Sequence, residues 1–504
     1  MKKIYITILV LLGLAIGAYF ILNAVAHRKL EQFLNEQVDK GNLKYQNFSL
    51  SLLQGNVTFN QVSFQKGRQA ADAGRIRLKG FSYWRYLVYD EISVRQLLVD
   101  HPHISITKAS DADTAKAIKK EQEKTSFGKE IKVKRLIIEE GSMTYTKDTS
   151  QVLHVAEYNL DIHHITVNRE TLQKKVPATY KEFSLEISDL WYDLNELQEV
   201  KAGHIQVTEN AVDINTIELL PKYTRHNYVR VIPYEKDLMH LKLDTLSIPQ
   251  YQLQLNRDKP LFEAPEIVLR GIDFDIYRDK TVTDDHREKP LYSKMLRDLN
   301  IDLDIDSVLL KNANINYQEL IKKDRDPGEV YFSKLNATIR NITNIDQDRK
   351  DFPVTEIDIE SRFMGQSPLS VHWEFRINDH EDVFRISGKG FDIPQQSINS
   401  FFIPAFNIKT EGTVDEVYFN YKGNNNVANG DFQIDHEDFT VEVLKKDGKE
   451  KSGFLSWVAN IFVKKGDKGE QVAEHIEEVE RDKTKSFWNY FWSCIEAGLA
   501  KTIL

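Results

Sequence analysis

Fourteen histidines give the chain its most obvious capacity for metal binding or proton transfer, and two pairs are close in sequence, His101 with His103 and His163 with His164. Zinc needs three or four ligands converging on one point, which a sequence announces by spacings such as HExxH. Neither pair has such a partner set, so both read as surface or turn residues and no metal is expected. Asp302, Asp304 and Asp306 share one side of a strand and could attract calcium, but the glycine and terminal glutamate of a calcium loop are missing. A solvated strand face accounts for them. The Asp-His-Glu-Asp that occurs at 379–382 and again at 435–438 sits between strand patterns and reads as turns. Cys494 is the only cysteine, which excludes an internal disulfide and a thiolate cluster. GxSxG, Walker A, GxGxxG and CxxC are absent, so hydrolase, nucleotide and redox chemistry have nothing specific to rest on. The expectation is a protein with no cofactor and no catalytic residues.

With chemistry absent, the elements themselves carry the information. Apolar residues at 41%, charged residues at 28% and a net charge of -9 describe a folded chain without the basic surface that nucleic acid requires. Residues 4–26 contain no charge. As a helix they would span roughly 34 Å, enough to cross a hydrocarbon core of about 30 Å. Lys2 and Lys3 precede this run, and Ala24-Val25-Ala26 offers a small-x-small cleavage site, so a cleaved signal peptide is the alternative. The length of the run and the bulky Tyr19 and Phe20 near its end favour a retained anchor. Positive charges on its two sides nearly balance, so the cytoplasmic placement of the amino terminus rests on the exported character of the body. Residues 28–39 then read as a short amphipathic helix.

From Asn47 alternation takes over, and a spacing recurs: apolar-x-apolar-x-x-apolar-x-apolar-x4-apolar-x-apolar. Its copies are Ile92, Val94, Leu97, Val99, Ile104, Ile106; Ile131, Val133, Leu136, Ile138, Met143, Tyr145; Val200, Ala202, Ile205, Val207, Val212, Ile214; Leu241, Leu243, Leu246, Ile248, Leu253, Leu255; and Leu303, Ile305, Val308, Leu310, Ile315, Tyr317. The x-x step predicts a bulge, and the four-residue gap predicts a turn at which each copy folds back as a hairpin. The expected fold is therefore mainly β: an elongated curved sheet or groove of repeated bent hairpins, with one amino-terminal transmembrane helix and carboxy-terminal amphipathic helices. Polar segments at 109–129, 278–289 and 322–329 read as connections. At the end, 454–462 predicts one apolar-faced helix and 470–504 a second, with Trp488, Phe491, Trp492, Ile495, Leu499 and Ile503 as its stripe. That stripe either caps the β body or touches a membrane or partner through Trp488, Phe491, Trp492, Ile495 and Leu499. The resulting organisation is an anchor at 1–26, a short helix and connection at 27–46, a β body at 47–450 and terminal helices at 451–504.

The order of these features resembles the AsmA-like envelope proteins, which are related to the repeating β-groove lipid-transfer proteins. The resemblance runs through Ser51-Leu-Leu-Gln-Gly-Asn-Val-Thr-Phe59, the first repeat from Ile92 to Ile106, Glu411-Gly-Thr-Val, Tyr421-Lys-Gly-Asn424, Ala428-Asn-Gly430, Asp438-Phe-Thr-Val-Glu-Val-Leu444, and Glu480-Arg-Asp-Lys before Phe487-Trp-Asn-Tyr-Phe-Trp492. It implies a single-pass protein of the bacterial inner membrane with its body in the periplasm. It further implies a groove whose apolar inner face binds or transfers phospholipid and supports outer-membrane lipid balance. The alternative is a non-enzymatic scaffold or assembly factor for outer-membrane protein biogenesis, acting through an envelope protein partner. Candidate groove or core residues are Ile92, Val94, Leu97, Val99, Leu136, Ile138, Met143, Tyr145, Leu246, Ile248, Leu253, Val308, Leu310 and Ile315.

Overall fold

A computed structural model describes residues 43–108, 130–444 and 470–503. The anchor at 4–26, the helix at 28–39, the segment 109–129 and the helix at 454–462 lie outside the described residues. The described chain is mainly β, with parallel and antiparallel pairings, and divides into two compact units: 43–194 with 202–209, and 195–201 with 210–503. Among the described residues no helix is long and apolar enough to cross a membrane.

The first unit contains β1 (Leu43–Lys44), β2 (Asn47–Ser51), β3 (Asn56–Lys66), β4 (Gln69–Phe81), helix α1 (Tyr83–Tyr89), β5 (Glu91–Asp100), β6 (His103–Lys108), β7 (Glu130–Lys147), β8 (Ser150–Val167) and β9 (Glu182–Asp193). Strand β10 (Gln198–Thr208) contains the division between the units. Strands β2 to β5 pair antiparallel, as do β7, β8 and β9, whereas β5 and β6 run parallel to β7.

That parallel pairing explains why the first two copies share one spacing. Ile92, Val94, Leu97 and Val99 lie directly beside Ile131, Val133, Leu136 and Ile138, and Ile104 and Ile106 beside Met143 and Tyr145. Two strands can stay in parallel register through a bend only if each bends at the same place, so the copies share one spacing. The expected hairpins are corrected by the same pairings. The gap in β7 is an irregularity within one continuous strand, and β6 continues in the direction of β5. Residue Glu140 in the first gap position after Glu139 has φ 52°, and His101 at the matching position has φ 51°. These left-handed residues bend the strand without reversing it. An asparagine on the neighbouring strand satisfies several such bends: Asn159 Oδ1 accepts from Glu140 N at 2.9 Å, Asn56 Oδ1 from Gly80 N at 3.0 Å, and Asn336 Oδ1 from Asn312 N at 3.1 Å.

The second unit contains β11 (Val212–Pro221), α2 (Arg225–Val231), β12 (Leu238–Ile248), β13 (Gln252–Gln254), β14 (Leu261–Asp279), α3 (Tyr292–Arg297), β15 (Asp302–Leu320), β16 (Gly328–Thr343), β17 (Thr355–Phe363), β18 (Ser367–Phe375), β19 (Phe384–Pro394), α4 (Gln395–Phe406), β20 (Ile408–Gly423), β21 (Val427–Val443), β22 (Glu470–Glu480) and α5 (Phe487–Ile503). Again one pair is parallel. Strand β14 carries a copy of the spacing that sequence reading missed: Phe262, Ala264, Ile267, Leu269, Phe274 and Ile276 lie beside Leu303, Ile305, Val308, Leu310, Ile315 and Tyr317. Pro265 and Gly271 within the run obscured it as a strand. The polar stretch 278–289 ends β14 with Arg278 and Asp279, and its remainder belongs to the crossover, with α3, that a parallel pair requires. Here too the predicted hairpins give way to running strands, since β15 passes unbroken through its gap and both β12 and β13 pair with β14.

The matching bend positions are Gly271 at φ 66° and Asn312 at φ 56°. A Cβ on Gly271 would come within 2.0 Å of Asp244 Oδ2. Gly271→Ala should therefore cost about 2 kcal/mol, from left-handed strain and the displaced carboxylate together. Asn312→Gly should leave stability within about 0.5 kcal/mol. Urea midpoints at unchanged slope measure both.

The expected helix over 470–504 is corrected at its start. Val472 and Ile476, four residues apart, fit a strand as well as a helix, and β22 pairs antiparallel with β21. A register shift near Gly430 then brings Val479 against Ala428. Helix α5 closes the apolar face of this sheet. One row of that face runs Ile267, Val308, Ile339, Ile357, Trp373, Ile386, Tyr421, Gly430 and Ile476 across nine strands. Its later members are 9% exposed or less where α5 lies over them, with Phe487 stacked on Trp373 at 4.4 Å and Tyr421 Oη donating to Cys494 O at 2.7 Å.

The segment leading into α5 is held by charge. Glu235, buried, pairs with Lys485 at 2.8 Å and Lys280 at 3.1 Å. Burial alone would raise the Glu235 pKa, but the hydrogen bond from Lys485 and the charge of Lys280 outweigh it and hold the carboxyl below its ordinary value. A carboxyl depressed on folding stabilises fully above its unfolded pKa and loses that contribution as pH falls through the folded one. The clamp should therefore be intact at neutral pH and fail only below about pH 4. Glu235→Gln, which takes the carboxylate from Lys280 and leaves Lys485 only Asp284 at 3.5 Å, should cost about 3 kcal/mol at pH 7 and flatten the acid limb of a stability–pH profile.

Candidate functional site: an open apolar face in the first unit

Two adjacent rows of apolar side chains cross six strands of the first unit. One comprises Val57, Leu78, Leu97, Leu136, Ile162 and Phe183 on β3, β4, β5, β7, β8 and β9; the other comprises Phe59, Ile76, Val99, Ile138, Leu160 and Leu185. Members of the two rows are two residues apart in every strand, and side chains at that spacing share a face. All twelve are half-buried. The row between them, on the opposite face, is Thr58, Arg77, Leu98, Ile137, Asp161 and Ser184.

The face continues through the bend. Tyr158, two residues from Leu160, lies opposite Gly141, and a Cβ there would meet its ring at 2.5 Å. The ring covers the gap that the glycine leaves, and burial raises the Tyr158 pKa. Beyond it come Ala71, Ile104, Met143, the buried Val155 and Leu190, then Ile106, Tyr145, Leu153 and Tyr192. From Leu136 to Tyr145 the strand advances about 30 Å, and six strands span about 24 Å, so the footprint is roughly 700 Å².

The other face is mixed, with Leu98 buried and charged pairs beside it. Arg135 Nη2 donates to Asp161 at 2.6 Å and Arg77 Nη2 to Asp100 at 3.1 Å. The Arg135 hydrogen bond holds the Asp161 carboxyl below its usual range. The histidines noted in the sequence join such contacts: His101 with Glu140 at 2.6 Å, His103 Nδ1 with Ser142 Oγ at 2.9 Å, and His163 with Asp161 at 3.2 Å.

What distinguishes this face among the described residues is that no buried hydrophobic cluster is built on it. Every hydrophobic core cluster among the described residues lies in the second unit. There the gap among Leu291, Trp373, Phe384 and Phe487 measures about 10 Å³, no more than a water needs.

The sequence candidates therefore part company. Leu97, Val99, Leu136, Ile138, Met143 and Tyr145 lie on the open face, and Ile92 and Val94 extend the β5–β7 register, with Val94 itself buried. In the second unit, Leu246, Leu310 and Ile315 pack against buried clusters, Ile248 is itself buried, Val308 is half-buried beside Ile339, and Leu253 is 46% exposed. The α5 candidates divide as well. Phe491, Ile495 and Leu499 pack on the core, Trp492 meets Phe401 edge-on at 5.9 Å, and Trp488 is 49% exposed. The most buried stripe, which sequence reading missed, is Phe487, Tyr490, Cys494, Gly498 and Thr502. Its small members hide it in a hydropathy pattern.

Fold and site together define a mainly β protein with an apolar sheet face that carries no buried cluster among the described residues of its first unit. No family model matches the chain, and no curated protein matches it.

Proposed function

We propose that this protein binds phospholipid acyl chains on the open face of its first unit and passes them along that face. In this reading it is an AsmA-like, non-enzymatic envelope protein, held in the bacterial inner membrane by residues 4–26 with its body in the periplasm, and it supports outer-membrane lipid balance. The observation that carries the reading is the pair of six-residue rows centred on Leu97, Leu136, Val99 and Ile138, half-buried and part of no buried cluster among the described residues. Acyl chains suit such a face because burial contributes roughly 0.8 kcal/mol per CH2 without demanding polar partners. A headgroup can stay in water at the edge.

The test is lipid recovery from the purified full chain by mass spectrometry. The apolar run at 4–26 holds lipid by itself, so the informative quantity is the excess over a Leu136→Lys variant. Excess phospholipid supports the proposal; equal recovery from both proteins rejects it.

A further inference from the structure

One rim of the first unit collects exposed aromatic and aliphatic side chains that the apolar face does not use. The register places them together. Phe81, at the end of β4, donates its backbone N–H to Gly55 O at 2.9 Å, joining the β2–β3 turn to the start of α1. Helix α1 leads into Glu91, which lies beside Glu130, and Ile131 lies opposite Val167. The loop 168–181 folds back there, with Thr166 and Thr179 exchanging hydrogen bonds at 2.9 and 3.0 Å. Along this rim stand Leu53 at 78% exposure, Trp84 at 69%, Tyr89 at 68% and Val88 at 50%, followed by Tyr180 and Leu172.

We infer that this rim docks on the surface of an anionic lipid bilayer, with Leu53, Trp84 and Tyr89 entering the interface. Three features select a bilayer. Tryptophan and tyrosine combine an apolar ring with a polar tip, as the interface requires. The side chains project from three separate connections at one edge, which suits a broad surface rather than a pocket. The loop 168–181 also contributes charge of the right sign, with Arg169, Lys174, Lys175 and Lys181 against one acid, Glu170, which pairs with Lys174 at 2.7 Å. Ser82 Oγ accepts from Arg85 N and left-handed Asp90 ends the helix, so α1 is fixed at both ends. Docking stands independently of lipid carriage by the open face.

Cys494 is buried, so an introduced surface cysteine can be labelled selectively. The full chain is reconstituted with an environment-sensitive fluorophore at Leu53→Cys or, separately, Tyr89→Cys. Thr149→Cys, exposed in the β7–β8 turn at the opposite rim, is the control. Both rim probes should shift to the blue on vesicles of phosphatidylcholine mixed with phosphatidylglycerol, and the control should not. Lys174→Ala with Lys181→Ala should weaken the response about twentyfold at low salt. Rim probes that stay water-like, or that respond no more than the control, would overturn the inference.

Discussion

Replacing Leu136 by lysine should reduce phospholipid binding about a hundredfold, the effect of placing an ammonium group among acyl chains at a cost of about 3 kcal/mol. Fold stability should fall by less than about 1 kcal/mol, because Leu136 is half-buried and belongs to no buried cluster among the described residues. Ile137→Lys supplies the control. The residue is adjacent in β7 but belongs to the row of Arg77 and Asp161, so the same charge enters the opposite face and binding should persist. Leu246→Lys should behave in the reverse way. Leu246 packs against two buried clusters, and lysine there should cost about 3 kcal/mol of stability. Lipid titration and urea denaturation of the three variants separate a binding face from a filled core.

The largest loss of stability should come from Phe432→Ala, about 4 kcal/mol. Phe432 is 1% exposed in the main cluster, and α5 approaches it so closely that a Cβ on Gly498 would lie 2.3 Å from its ring. Gly498→Val should therefore destabilise by overpacking, about 2 kcal/mol, with the opposite change in volume. Combined with Phe432→Ala, the valine finds the space the ring vacated, so the double variant should lose less than the sum of the singles. Additive losses would mean that helix and sheet do not meet at this point. Thermal or urea unfolding of the singles and the double measures the coupling.

The two expectations rest on features that were unequally legible in the sequence. Period-two alternation with a fixed interruption located the strands of β5 to β7 and β15 and the open-face residues on β5 to β7, but not those on β4, β8 and β9. It could not give strand direction. A four-residue gap containing Glu140 and Gly141 has the composition of a turn, and only the parallel partner, with its own left-handed residue at His101, makes a bend the better solution. The missed copy in β14 has the same cause, since Pro265 and Gly271 look like strand breakers until the in-register neighbour is known. At the chain's end, Val472, Ile476 and Val479 satisfy a helical period, and pairing with β21 overrides it. The buried stripe of α5 was illegible because it is set by Gly498, Cys494 and Thr502, residues chosen for close approach rather than hydropathy. Which face of the first unit carries no buried cluster depends on tertiary packing, so no local pattern could reveal it.

The central claim concerns one face of one sheet, and neighbouring residues of β7 can decide it. A photoreactive amino acid placed at Leu136 in the full chain, or separately at Ile137, and activated in the native membrane should give different adducts. The account predicts covalent phospholipid at Leu136 and little at Ile137, read by mass spectrometry of the purified protein. Equal labelling at both positions, or protein adducts alone at Leu136, would contradict it.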